Sequence, residues 1–326
     1  MQVGVFLDGR NPAAWRRPWD EHHRRLVELA VQAEALGADA VWLTEHHFFD
    51  DGYLPQPMVL AAAIAARTST IRIGTAVMIA PLRHPLHIAE EAAVVDQLSG
   101  GRLELGFGAG WAKQEFDAFG VDPATRFHVT DTAVAAVHDA FNLVTPPPAQ
   151  RPVPLWLGYQ TPAGARRAGQ LGVGLLSLNR ASLAPYQAGL AEGGHDVASG
   201  RMGGLVELIL SDDPPAAEQR ILPHYAHQLN SYAQAHAWPA SPAEPAVTID
   251  GLRERRRPAD SVSMTVCTAD QAVTIITELV RDLPVQHIYL WASVAAMPDD
   301  LVQRHLELLF TQVRPALQGA DIEEST

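Results

Sequence analysis

Three polar residues, Glu45, His46 and His47, stand side by side in WLTEHHF, directly behind an apolar run. An acid beside two imidazoles can bind a metal ion, move a proton as a general acid or base, or form a structural cluster. Side chains alternate along a strand, so at most one of His46 and His47 enters a given pocket. A second stretch, RHPLHIAEE (83–91), adds His84, His87, Glu90 and Glu91. Its His-x-x-His spacing differs from the His-Glu-x-x-His that sets two ligands and a base on one helical face, so no metal site is predicted. His84 precedes Pro85, where it can contact the strand-end pocket or cap a helix. A lone histidine is more often packing than chemistry, but two imidazoles and a carboxylate at one strand end are costly to bury unless something binds them.

Two glycine-bearing stretches invite a flat or phosphorylated ligand. GFGAGW (106–111) has glycines at 106, 108 and 110, a G-x-G-x-G and not the G-x-G-x-x-G of a dinucleotide fold. Such glycines let a ligand approach the backbone, with Gly108, Ala109, Gly110 and Trp111 offering N–H groups. In LGYQTPAGARRAG (157–169), Thr161 suits a helix N-cap and Pro162 its first turn, which makes an anion site. An ordinary capped helix explains the same two residues. There is no G-x-S-x-G elbow for a serine hydrolase, and Cys267 has no neighbouring histidine motif.

The elements that must position these residues alternate in type. VGVFL (3–7), DAVWLTE (39–45), TIRIGTAVMIA (70–80), RLELGFG (102–108), LWLGY (155–159), VGLLSL (173–178), LVELILS (205–211) and HIYLW (287–291) read as strands. Helical periodicity falls between them, as in HHRRLVELAVQAEALG (22–37), PMVLAAAIAART (57–68) and 85–98, with a further helix at about 126–142. TPPPAQRPVP (145–154) cannot be helix or central strand and reads as the clearest linker. Eight strand–helix repeats predict an α/β chain folded as a (β/α)8 TIM barrel, with a doubly wound open sheet as the alternative. Active residues then belong at the C-terminal strand ends, where Glu45, His46 and His47 lie.

Composition narrows the function classes. With 47% hydrophobic and 19% charged residues, the chain is globular in composition, and a formal net charge of -13 repels phosphate backbones. Nucleic acid is not an expected partner, and the basic run RERRR (253–257) reads as a solvated loop. One cysteine excludes an internal disulfide or a thiolate metal cluster. No apolar run approaches the ~20 residues needed to span a bilayer, and MQVGVF lacks a basic leader region. A cytoplasmic protein with no membrane partner is expected.

From residue 3 to about 315 the chain resembles the luciferase-like monooxygenase family, the flavin-dependent group around bacterial luciferase. The resemblance is carried by WLTEHHF, by IGTAVMIAPLRHPLHIAEEAAVVDQLSGGRLELGFGAGW (73–111), by EFDAFGVD (115–122) and by PLWLGYQTPAGARRAGQLGVGLL (154–176). It implies one barrel domain (1–318) with a variable insertion before the last strand (about 212–286), a disordered acidic tail (319–326), reduced flavin at the C-terminal face, and a homodimer. His46 matches the catalytic histidine. Ala76 and Val77 match the pair behind the flavin ring, joined in bacterial luciferase by a cis peptide. Gly108, Ala109, Gly110 and Trp111, with Gln160, Thr161 and Gly164, match the cofactor's phosphate side. Glu115 matches an acidic loop position, and Glu45, His47, Phe6 and Trp291 fall around His46 or the substrate. Bacterial luciferase has a phosphate-binding arginine where this chain has Ala109, and a threonine where it has Gly164. Phosphate is then expected on Thr161, backbone N–H groups, and Arg166 or Arg167.

The implied activity is oxygenation of a small organic substrate by reduced FMN and O2 through a flavin hydroperoxide, with FMN supplied by a separate flavin reductase and only loosely held. A deazaflavin-dependent oxidoreductase on the same barrel, or a non-catalytic flavin-binding partner subunit, are the alternatives.

Overall fold

The alternation of short apolar runs with periodic stretches becomes strand and helix in a computed structural model, which describes residues 1–235, 246–254 and 264–323. The strands are β1 (Gln2–Leu7), β2 (Ala40–Leu43), β3 (Arg72–Thr75), β4 (Met78–Ile79), β5 (Leu103–Gly108), β6 (Leu155–Leu157), β7 (Gly174–Leu176), β8 (Met202–Leu205), β9 (Leu208–Leu210), β10 (Thr265–Cys267) and β11 (Val285–Trp291). The helices are α1 (Trp19–Ala35), α2 (Pro57–Ala65), α3 (Pro85–Ser99), α4 (Lys113–Phe119), α5 (Arg126–Ala140), α6 (Pro162–Gln170), α7 (Leu183–Glu192), α8 (Pro214–Ala235), α9 (Ile249–Glu254), α10 (Ala269–Val280), α11 (Asp299–Leu308) and α12 (Arg314–Glu323). Parallel pairing runs β3-β2-β1-β11-β8-β7-β6-β5, and β3 also pairs with β5. The sheet therefore closes on itself as an eight-stranded parallel barrel with helices outside, the predicted (β/α)8 fold.

Side-chain period two decides what fills the barrel. Trp42 on β2 and Trp156 on β6 are fully buried, their rings 6.1 Å apart and edge to face. Glycine stands beside each: a Cβ added at Gly74 would lie 2.3 Å from the Trp42 ring, and one at Gly174 would lie 2.2 Å from that of Trp156. Trp156 Nε1 donates to buried Glu104 at 2.7 Å, and Arg72 donates to the same carboxylate. Toward the C-terminal strand ends the inward residues are Phe6, Ala76, Gly108, Gly158, Leu176, Leu205 and Trp291, small enough in sum to leave a cavity.

Several local expectations change. TIRIGTAVMIA is broken into β3 and β4 by a cis Ala76–Val77 peptide. LVELILS (205–211) is not the seventh barrel strand. That strand is Met202–Leu205, whose Gly203-Gly204 pair carries no β-branched signal, while Leu208–Leu210 forms a separate parallel pair with β10. TPPPAQRPVP is not a free linker, because Gln150 within it binds Asp96 through both its backbone N–H (2.7 Å) and its side-chain amide (2.8 Å). RERRR begins inside α9, and its remainder lies outside the described residues. The segment expected as a loose tail is helical as far as Glu323, with 324–326 outside the described residues. No helix among the described residues is long and apolar enough to cross a membrane.

Two buried polar anchors hold the catalytic end of the barrel. Glu45, just past β2, accepts the Ile79 N–H of β4 at 2.6 Å and two Arg83 N–H groups at 2.6 and 3.0 Å. Replacing Glu45 by Ala strands Arg83 and the Ile79 N–H, and thermal or urea unfolding should register a loss of about 3–5 kcal/mol, with Glu45→Gln losing less. His305 of α11 is fully buried; its Nδ1 accepts the Leu210 N–H at 2.9 Å and its Nε2–H donates to the Trp291 carbonyl at 3.0 Å. Burial pushes its pKa down to about 4. The unfolded chain takes up that proton near the ordinary value of about 6.5, so this contribution to stability is complete above that pH and declines as pH falls toward 4. Urea titrations at pH 7.5 and 5 should differ by ~2 kcal/mol from this residue alone, and His305→Gln should remove that share of the difference.

Candidate active site

The chain leaves β2 as Thr44-Glu45-His46-His47, and the His46 N–H is fixed by the Leu54 carbonyl at 3.0 Å. Its ring packs against Tyr53, Trp111 and Phe49, with centroids 4.7, 4.9 and 5.0 Å away. Nδ1 lies 2.8 Å from Oε1 of Glu115, which is 0% exposed and sits in the first turn of α4. The same oxygen accepts the His47 N–H at 2.8 Å. A carboxylate with those two donors fixes the proton on Nδ1 and leaves the Nε2 lone pair for the cavity that His46 lines.

His47 points elsewhere, as alternation requires. Its Nε2 is 3.1 Å from Glu45 Oε1, and its ring packs on Phe119 at 4.9 Å, outside the cavity. Of Glu45 and His47, both expected around His46 or the substrate, Glu45 lines the cavity and His47 does not. Glu115 orients His46, while Glu45 serves Arg83, Ile79 and His47. His84 caps α3, accepting the Leu86 N–H at 3.2 Å.

The cavity, about 620 Å3, opens at the C-terminal ends of the strands. Ala76 and Val77 form one wall. A Cβ at Gly108 would lie 2.2 Å from Val77 Cγ2, so the glycine lets that wall sit close to β5. Phe6, Trp291, Ala109, Gly110, Trp111, Gln160 and Thr161 also line it, so most of the predicted residues converge here. Gln160 is held by a 2.9 Å bond from its amide to the Leu176 carbonyl.

Phe127, Tyr159 and Thr161 pass from this cavity into a groove at the start of α6, where Gly164 lies. Thr161 Oγ1 accepts the Gly164 N–H at 3.1 Å, so the predicted cap is formed. Gly164 is open to its neighbours for a packing reason: a Cβ there would lie 2.5 Å from that of Tyr159. The two arginines expected for an anion are both committed to carboxylates, Arg166 to Glu192 at 2.8 Å and Arg167 to Asp131 at 2.6 Å. Arg126, at the first position of α5 beside Phe127, pairs with no carboxylate among the described residues, and its buried Nε has no hydrogen-bond partner. Sequence reading passed over it; an arginine opening a helix next to an aromatic was the available signal.

The mouth also holds residues that no motif marked. The buried Arg10 guanidinium lies 4.0 Å from the Tyr53 ring centroid and 4.8 Å from that of Tyr232, and it pairs with Asp51. The two tyrosine hydroxyls are 2.8 Å apart. Tyr232 and Gln228, one turn apart on α8, reach the cavity from above, and Glu207 enters it just beyond β8.

Comparison with known proteins agrees with the barrel fold. A solved monooxygenase, RslO1 from Streptomyces bottropensis, superposes over 97% of this chain and 99% of its own, with a TM-score of 0.80 at 23% identity. The 4-hydroxyprotoasukamycin monooxygenase of Streptomyces nodosus subsp. asukaensis is 34% identical over 202 residues, 54% of this chain and 52% of that protein. The oxygenase component of a flavin-dependent trigonelline monooxygenase from Acinetobacter baylyi is 36% identical over 92 residues, 28% of this chain and 26% of that protein. Among such curated relatives the chain spans between 26% and 58% of their lengths. The family model described as luciferase-like monooxygenase matches residues 1–273, which include every residue of the cavity except Tyr289 and Trp291, and the chain belongs to that family.

Proposed function

We propose that this protein is the oxygenating partner of a two-component system, which binds reduced FMN from a separate flavin reductase and uses O2 to oxygenate a small organic substrate. The observation that carries the reading is His46, held at Nδ1 by buried Glu115 with Nε2 left for the cavity. The relative from Acinetobacter baylyi is named as an oxygenase component, which supports a separate source of reduced flavin.

The residues present fit a flat ring with an anionic tail. Ala76 and Val77 offer the ring a surface, and Gly108 lets the Val77 side chain seat in that wall. The adjoining groove ends at the N-terminus of α6, where backbone N–H groups and Thr161 suit a phosphate. When bound, reduced flavin would supply the two electrons that activate O2, one of whose oxygen atoms goes to the substrate and the other to water. The chain's own residues position and shield. Phe49, Tyr53 and Trp111 around the imidazole keep water away, and His46 moves a proton at Nε2 while Glu115 stays an acceptor for Nδ1–H.

A second copy of the chain is proposed to cover the outer face of α2 and α3. Val94 and Leu98, one turn apart on α3, are exposed, as is Val59 on α2, the helix packed beside it, and large apolar side chains left in water support this reading.

Three measurements test these readings. His46→Ala should leave the Kd for reduced FMN within a few-fold and lower product formation by about 10²–10⁴-fold, the usual share of a general acid or base. Glu115→Gln should fall between that variant and wild type, again with flavin affinity kept; normal product yield from His46→Ala would end the assignment. Titration with FMN and with a deazaflavin, each assayed with and without O2, should give product only with FMN and O2, and oxygen-independent turnover on the deazaflavin would replace this reading with hydride transfer. In sedimentation, the double variant Val94→Asp, Leu98→Asp should be a folded monomer where wild type is a dimer.

A further inference from the structure

His46 and the flavin surfaces account for one side of the cavity and leave the other unexplained. Glu207 emerges beyond β8, three strands round the barrel from β2. Its carboxyl faces the cavity, and no described residue donates a hydrogen bond to it or pairs with it. Burial alone pushes its pKa up to about 7. Gln228, 4% exposed, reaches the same cavity from α8, and its Oε1 is buried with no hydrogen-bond partner. The flanking wall is aromatic, with the Phe6 ring 4.6 Å from Trp291 and 5.1 Å from Tyr289.

These groups share one chemical demand. A carboxylate and an amide oxygen are both acceptors; the Gln228 oxygen is buried without a donor and the half-buried Glu207 carboxylate has none among the described residues, so a ligand that brings donors recovers free energy. Among the described residues no lysine or arginine lines the cavity, and the other carboxylate that does, Glu45, is already taken by Arg83. Aromatic faces beside an unpaired acid favour a cation. An anionic or purely aliphatic substrate would leave Glu207 unmatched.

We infer that the substrate is an aromatic or heteroaromatic compound bearing a protonated nitrogen, whose N–H groups donate to Glu207 and to Gln228 Oε1 while its ring packs on Phe6, Tyr289 and Trp291. The inference rests on the oxygenase reading only in making that compound the substrate; its recognition needs neither flavin nor oxygen. Glu207 is thus a specificity-determining residue, and α8 contributes the second contact.

The test is binding by the full-length, flavin-free protein at about pH 8, followed by calorimetry, with 2-phenylethylamine and 2-phenylethanol as probes of equal size that differ in charge. The amine should bind at least tenfold more tightly than the alcohol. Glu207→Gln, which is isosteric and relieves a buried charge, should bring the two probes within about twofold of each other, and Gln228→Leu should weaken the amine several-fold. Equal binding of the two probes by wild type, no binding of the amine, or a preference that survives Glu207→Gln would each overturn the inference. So would a large loss of reduced-FMN affinity in Glu207→Gln, which would assign the acid to the cofactor. An amine preference without oxygenated product from any aromatic amine would leave recognition standing and sink the oxygenase reading. Oxygenation of neutral compounds without any amine preference would do the reverse.

Discussion

The interior of a closed eight-stranded barrel must be filled by side chains, and in this protein two tryptophans fill its middle. Trp42 and Trp156 meet edge to face, and each needs a glycine on the neighbouring strand to find room. Filling the middle with two large rings lets the layer above be small. Gly108 and Gly158 at that level make room for the Val77 side chain, so that Ala76 and Val77 form a close wall of the space in which the candidate chemistry is placed. The cavity is therefore a consequence of how the barrel's volume is distributed between layers, with the largest side chains placed beneath it.

Around that cavity two buried carboxylates, Glu115 and Glu45, do the positioning, and each takes more than one donor. Glu115 takes one imidazole and one backbone N–H, and Glu45 takes a guanidinium and the N–H of β4. This separation assigns the adjacent histidines to different tasks, since each ring is committed to a different acid. Arg10 performs a comparable service for the cover. Stacked against Tyr53 from the β2 side and Tyr232 from α8, and bonded to Ser231 Oγ at 2.8 Å, it fastens α8 over the mouth. Gln228 reaches the cavity because that fastening sets the height and rotation of the helix one turn away.

The parts of this arrangement that were legible in the sequence are those written in local periodicity. Seven of the eight barrel strands are apolar runs, and the eighth was misplaced because Gly203 and Gly204 carry no strand signal even though β11 and β7 pair with them. His46 was visible because it follows a strand, and the C-terminal strand ends converge in this fold. Its partner was visible only as an acidic position. That Glu115 meets His46 depends on where α4 packs, 69 residues along the chain. Arg10, Tyr53, Tyr232, Glu207 and Gln228 were not visible at all. Arg10, Tyr53, Tyr232 and Gln228 come together through the docking of α8, inside the insertion expected before the last strand, and Glu207 follows the strand that was misplaced.

The anion end of the groove shows how one substitution is coupled to another. Gly164 stands where a threonine was expected, and the reason lies in Tyr159, whose Cβ occupies the space a side chain would need. Tyr159 in turn donates to Asp131 at 3.0 Å, and Asp131 holds Arg167 away from an anion. Losing the threonine, filling its place with an aromatic ring and neutralising the arginine are thus a single packing solution. It leaves the phosphate of the proposed cofactor to the helix terminus and Thr161, fewer charged contacts than a tightly held flavin would want. Each charge-assisted hydrogen bond forgone weakens binding by about 1.5–3 kcal/mol, or one to two decades in Kd. A protein that must take reduced flavin from another enzyme and release the oxidised form in each cycle gains from that weakness, because release cannot be slower than turnover.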